Sequence, residues 1–152
     1  MVKKKLVKRK SKKLKIKVRT IPWMFNESMT IFVKTQVEGI HYWPEAPKDK
    51  LLNVGFLRTP HRHMFHVKVS LQVLSDEREF EFIIMKRWLT IVVKKILGDP
   101  PKPIEMSCEM IAKEVLKEVC HMLTEVESGQ RNITCEVSED GENGATVSMT
   151  FC

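Results

Sequence analysis

HRHMFHVKVSLQVL, residues 61–74, is the stretch on which the fold turns. Its odd positions are His61, His63, Phe65, Val67, Val69, Leu71 and Val73, and its even positions are mostly polar. A period of two sustained over this length predicts a long half-buried β-strand, one face on a core and the other in water. Two histidines extend the apolar face. Upstream, Pro60 opens the strand, and a loop punctuated by Pro44, Pro47 and Gly55 precedes it. Residues 29–40 alternate in the same way, with Ile31, Val33 and Val37 on one face and Lys34, Gln36 and Glu38 on the other. His41 falls in register with the apolar side.

Downstream, a turn at Ser75-Asp76-Glu77 leads to a short E-F-E-F piece at residues 79–82 and then to an apolar-rich helix over 83–97, ended by Gly98-Asp99-Pro100-Pro101. Ser107 is the N-cap expected for a second helix, whose Ile111, Val115, Val119, Met122 and Val126 recur at spacings of three and four; Ser128-Gly129 stops it. Two final strands, 133–139 and 145–151, flank a Gly141-Glu142-Asn143-Gly144 turn. The order ββααββ predicts an α+β domain: an antiparallel sheet with both helices on one face.

The chain has 152 residues, 43% hydrophobic and 30% charged, which suits one soluble domain with a real core. Its 26 Lys and Arg against 19 Asp and Glu give a net charge of +7. That excess is local. Residues 1–19 hold nine Lys and two Arg with no acid, so the remainder carries 15 basic against 19 acidic groups. We therefore divide the chain into a basic arm, residues 1–25, and a body, residues 26–152. Within the arm K-L-K-I-K-V-R at 13–19 alternates like a charged edge strand. The arm keeps a nucleic-acid partner open, through phosphate contacts that salt would weaken steeply. No apolar run approaches the roughly 18 residues of a membrane span, and Lys or Arg interrupts every run of the arm where a signal peptide needs an apolar core. Cys108, Cys120, Cys135 and Cys152 form no C-x-x-C pair. Reduced thiols, no membrane partner and a cytoplasmic location are the expectation.

Side chains two apart on a strand share a face, so His61 and His63 project together, about 7 Å apart along the strand. If the first two strands pair as an antiparallel meander, His41 supplies a third imidazole. Three histidines with an open fourth position describe a catalytic-type Zn²⁺ site. The competing reading is a chance H-x-H beside an ordinary loop histidine. His66 falls on the polar face and His121 on the exposed side of the second helix, both as surface residues. Cys108 and Cys120 read as small buried hydrophobes. Trp43 and Phe65 are aromatic rings that either stack on a ligand or fill the core.

These residues resemble the 6-pyruvoyl-tetrahydropterin synthase and 6-carboxy-tetrahydropterin synthase family over about residues 28–150. His41 in E-G-I-H and the pair in P-H-R-H-M-F-H-V-K-V stand where that family has a first-strand His and an H-G-H pair binding zinc. E-F-E-F resembles its short strand before the first helix, and Met106-Ser107-Cys108-Glu109 the P-T-S-E start of its second. C-E-V-S-E-D-G-E-N-G-A-T-V is similar to its V-x-V-x-E-T-P segment, which sets Glu139 on the glutamate that holds a pterin's amino and ring N–H groups. The resemblance implies a T-fold assembling into an oligomeric β-barrel, a trimer or hexamer of this chain. It also implies zinc on His41, His61 and His63, a pterin- or purine-like small-molecule ligand on Glu139, and carbon–oxygen lyase chemistry on dihydroneopterin triphosphate. Two departures bear on that chemistry. Leu57 stands where the family has its catalytic Cys, and I-L-G-D-P-P-K-P lacks its Asp-His pair. A zinc-dependent lyase of the pterin or queuosine (7-deazaguanine) pathway and a non-catalytic binder of a pterin- or guanine-like ligand therefore both stay open, with no catalytic residue assigned.

Overall fold

A computed structural model describes residues 28–126 and 129–152. The basic arm of residues 1–25, with its alternating 13–19 stretch, lies outside the described residues.

The two alternating runs form the longest strands, β1 (Met29–His41) and β2 (His61–Val73), which pair antiparallel along their full length. Register follows from side-chain period: Val33 faces Val69, Val37 faces Phe65, and the two strands end with His41 opposite His61. Between them the loop folds back on itself. Trp43 N–H donates to the Leu57 carbonyl (2.7 Å), and Arg58 Nε donates to the Ala46 carbonyl (2.6 Å) beside a single 3₁₀ turn at Gly55–Arg58.

Helix α1 (Phe82–Leu97) buries Met85, Leu89, Val92, Val93 and Leu97. Residues 79–81 of the E-F-E-F piece form no strand, and the carboxylates of Glu79 and Glu81 both accept from backbone N–H groups. Glu79 accepts from Leu74 N–H (2.8 Å), and Glu81 accepts from Ile83 N–H as the N-cap of α1. Helix α2 (Cys108–Glu125) begins on Ser107, whose hydroxyl accepts from Met110 N–H, as the sequence predicts. Its buried stripe is Cys108, Ile111, Ala112, Val115, Leu116, Val119 and Leu123.

One element escapes the sequence reading. Residues Pro103–Ile104 form a two-residue strand, here β3, which runs parallel to the end of β1 with His41 opposite Ile104. Such a short, proline-flanked segment has no periodicity of its own. The last strands, β4 (Arg131–Glu139) and β5 (Asn143–Phe151), each begin two residues before the expected start. The turn contracts to Asp140-Gly141-Glu142, with Asp140 and Gly141 both at positive φ (52° and 79°). Gly144 falls inside β5 opposite Ser138, at a position only glycine fits, because a Cβ there would meet the Val137 carbonyl at 2.1 Å.

The sheet order is β3-β1-β2-β4-β5, antiparallel except at β3, with both helices on the face that carries Phe65, Val67, Leu71, Ile133 and Val137. The opposite face is polar, with Lys34, Gln36, His66, Lys68 and Glu136. Arg131, only 2% exposed, closes one end of the core by donating to the Gly129 and Gln72 carbonyls and to the Glu79 carboxylate (2.7 Å). Among the described residues no helix is long and apolar enough to cross a membrane.

Candidate metal centre

The register of β1 and β2 brings His41 and His61 side by side, and His63 lies one same-face step further along β2. Ring centroids are 4.6 Å apart for His41 and His61, 5.2 Å for His41 and His63, and 5.1 Å for His61 and His63. One nitrogen of each ring lies within 4.8 Å of the others, and among the described residues this is the one group of three or more His, Cys, Asp or Glu so arranged.

Hydrogen bonds decide which nitrogens those are. His41 Nδ1 is 3.1 Å from the Met106 carbonyl, His61 Nδ1 is 2.8 Å from the Thr59 carbonyl, and His63 Nδ1 is 2.5 Å from Asp140 Oδ2. All three partners are acceptors, so each Nδ1 carries a proton and each Nε2 is the nitrogen left for the interior of the cluster. This is how metal-binding histidines are oriented, the outer N–H tied to a carbonyl or carboxylate and the inner nitrogen left basic. His41 supplies the firmest sign: it is 8% exposed, and its Nε2 is buried without a hydrogen-bond partner. An orphaned acceptor in that position costs free energy unless something electropositive meets it. Burial pushes His41 below the ordinary imidazole value, helped by the neighbouring His61 and His63 and opposed by the Met106 carbonyl and Glu139. The ring is thus neutral near pH 7, the form a metal takes. The donor set and its tautomers fit a Zn²⁺ ion.

Glu139 ends β4 opposite Phe65 and turns toward the histidines. Its Oε1 is 3.3 Å from His41 Nε2, outside hydrogen-bond geometry, and its Oε2 is 3.8 Å from His63 Nε2. Cys108, at the first turn of α2, donates its thiol to Glu139 Oε1 (3.7 Å). Burial first, then the charge and hydrogen bond of Glu139, push that thiol up to about 12, so it stays protonated. A cleft of about 480 Å³ opens beside the cluster, lined by His41, Trp43, Leu57, His61, Met106 and Glu139 among others.

All four site residues expected from the sequence therefore meet at one end of the sheet. Trp43, 49% exposed, borders the cleft, while Phe65 is fully buried and holds His41 edge-on at 5.2 Å as part of the core. His66 lies on the opposite face against Gln36 (3.2 Å), and His121 is exposed on α2. Cys108 is buried, as expected of a small hydrophobe, yet it belongs to the site. Asp140 and the Met106 and Thr59 carbonyls also escape a reading by motif. An acid directly after the motif glutamate is the one available signal for Asp140; the carbonyls leave none.

Fold and cluster together define an α+β protein of the T-fold type, with three histidines gathered where β1 and β2 end. The chain has the fold of the 6-pyruvoyl tetrahydropterin synthases. It is similar to the Plasmodium falciparum enzyme with a TM-score of 0.58 and 18% identity, over 82% of this chain and 99% of that one. The Plasmodium vivax enzyme gives a TM-score of 0.53 and 16% identity with the same coverage. No protein-family model and no curated protein matches the sequence.

Proposed function

We propose that this protein binds Zn²⁺ through His41, His61 and His63 and takes a pterin- or guanine-like ligand in the adjoining cleft, in the manner of the synthases whose fold it shares. The observation that carries the reading is the buried, unpartnered Nε2 of His41 among three rings whose Nδ1 protons are already committed. A bound zinc would supply Lewis-acid polarisation of an oxygen on the ligand. Glu139 offers two acceptor oxygens to the paired N–H donors of a guanidine-like edge, the fork geometry that also joins carboxylate to Arg. Trp43 gives the cleft an aromatic wall for a planar ring. Self-association into a trimer or hexamer belongs to the same reading, supported by the open outer edge of β5 in the described sheet.

A specific observation favours binding without the lyase reaction. Leu57 lines the cleft and offers neither thiol nor base, and Asp99, which follows α1, is paired with Lys94 at 2.8 Å. The Cys108 thiol is near but too weakly acidic to move protons readily near pH 7. Metal analysis of the purified protein tests the first part: about one zinc per chain is expected, falling well below that in His61→Ala and His63→Ala. Unchanged metal content in both variants would sink the reading. Incubation with dihydroneopterin triphosphate tests the second, since a tight complex without turnover supports a binder and release of triphosphate at enzymatic rates supports a lyase.

A further inference from the structure

We infer that the polar face of the sheet, turned away from the helices, binds a phosphate-class dianion between Lys34, Lys68 and Lys86. The groove these lysines share measures about 610 Å³. It lies across the sheet from the histidine cluster, so the inference stands apart from the zinc reading.

Strand register gathers the charge. Lys34 of β1 stands directly opposite Lys68 of β2, and Lys68 directly opposite Glu136 of β4. Like charges in directly opposed positions destabilise a sheet, and a lone carboxylate answers only one of the two ammonium groups. Glu136 is that carboxylate: it lies 3.5 Å from Lys68 Nζ and is the only acid among the residues lining the groove. Glu38, the next acid on this face of β1, is taken up by Arg62 at 3.5 Å. Among the described residues Lys34 and Lys86 make no ion pair, unlike Lys68, Lys94, Lys95 and Lys117. The ring of Phe32, 58% exposed, draws the opposed lysines together, with Lys34 Nζ and Lys68 Nζ each 5.7 Å from its centroid.

Helix α1 delivers the third cation. Thr35, next to Lys34, shares a hydrogen bond with the Thr90 hydroxyl (2.7 Å), and Thr90 donates to the Lys86 carbonyl (2.8 Å). That chain seats this part of α1 against β1, with Lys86 lining the groove. Neutral donors complete the lining. The Gln36 amide donates to His66 Nδ1 (3.2 Å), which leaves the ring's Nε2–H as a donor, and Ser138 adds a hydroxyl. Two cations without a counter-charge, one on the sheet and one on the helix, match a phosphate group, which carries roughly two negative charges near neutral pH. Lysine holds phosphate as a point charge, and tetrahedral oxygens meet cations from two sides at once, where a carboxylate presents a single plane. The groove is as large as a small-molecule pocket, so its anion is either free inorganic phosphate or the phosphate end of a small molecule.

The test is a phosphorus NMR titration of the full chain in low-salt buffer, with inorganic phosphate and glycerol phosphate as probes. The basic arm offers any anion a background of its own, so the groove is read from differences between variants. Lys34→Gln and Lys86→Gln are each expected to weaken binding about 3- to 10-fold, between the worth of an exposed ion pair and that of a hydrogen bond to a charged group. Glu136→Gln, which removes the competing acid, should tighten it. Lys117→Gln, which removes a cation paired with Glu114 on α2, should match wild type. Tighter binding of the ester assigns the groove to a phosphorylated small molecule, and equal affinities assign it to the free ion. Equal phosphate affinity in wild type, Lys34→Gln, Lys86→Gln and Glu136→Gln means an adventitious ion only, and overturns the inference. Loss of binding when the protein is stripped of metal overturns it as well, by placing the anion at the histidines. Thermal unfolding checks each fold: Lys34→Gln relieves a like-charge contact and should melt no lower than wild type, and if Lys86→Gln does not fold, Lys34→Gln decides by the same criterion.

Discussion

Asp140 offers the sharpest test of how the centre is built. Its Oδ2 accepts from His63 Nδ1 at 2.5 Å, its Oδ1 accepts from Met64 N–H at 2.9 Å, and its own N–H donates to the Met64 carbonyl at 2.9 Å. The residue thus carries the β2–β4 pairing one step past Glu139 and ties down the Nδ1 proton of a ring in the histidine cluster. The hydrogen bond from His63, then that from Met64, hold its carboxyl below the usual aspartate range, so it is ionised near pH 7. Removing such an outer partner lowers metal affinity by about 10–100-fold. The Asp140 side chain is 53% exposed, and water can replace part of what it gives, so the low end of about 10-fold applies. Asp140→Gly is the cleaner variant: φ is 52°, a region glycine enters without penalty, and the backbone bond to Met64 survives. Asp140→Asn also tolerates this region and keeps an acceptor, so it should lose less. Zinc affinity would be measured by chelator competition near pH 7, with thermal unfolding of the metal-free proteins as the control for folding. Wild-type zinc affinity in an equally stable Asp140→Gly would refute the claim that this carboxylate orients His63.

Three further expectations follow from packing and charge. Gly39→Ala would set a Cβ 2.8 Å from two ring carbons of Phe65 and 3.2 Å from Leu97, a crowding that costs about 1–3 kcal/mol; because Phe65 abuts His41, thermal unfolding and zinc affinity should both fall. Burial raises the Glu79 carboxyl, but the bonds from Arg131 and Leu74 outweigh it and leave its value lowered. A lowered folded value means stability that is present above the unfolded value of about 4.3 and lost as pH falls through the folded one. Glu79→Gln should therefore cost about 2–4 kcal/mol near pH 7, since Arg131 loses its counter-charge while keeping two carbonyls, and the gap should close in acid; equal urea midpoints at both pH values would contradict this. In thiol labelling of native protein, exposed Cys152 should react fast, while Cys108 and Cys135, both pushed up to about 12 chiefly by burial, should react only on unfolding. Mass spectrometry finding rapid labelling of Cys108 would show that its side of the cleft is open.

The two alternating runs were legible because a strand's period of two needs no partner to declare itself, and the placement of His41, His61 and His63 on the apolar face came with it. Ser107 was legible for the same local reason, since a cap is a contact between near neighbours. What sequence could not reach lies where distant segments meet. β3 exists only because Pro103–Ile104 runs beside the end of β1, and that same passage delivers the Met106 carbonyl to His41. Cys108 read as core because it sits on the buried stripe of α2, and only the packing of α2 on β4 brings its sulfur to Glu139. Asp140 has no role in the sequence reading; only the β2–β4 register sets it against His63, 77 positions earlier in the chain. Periodicity and spacing by themselves thus determined the four long strands, the two helices and which histidines share the apolar face. The tertiary structure alone decided which nitrogens face inward, because a tautomer is set by whichever acceptor the fold carries to the other side of the ring.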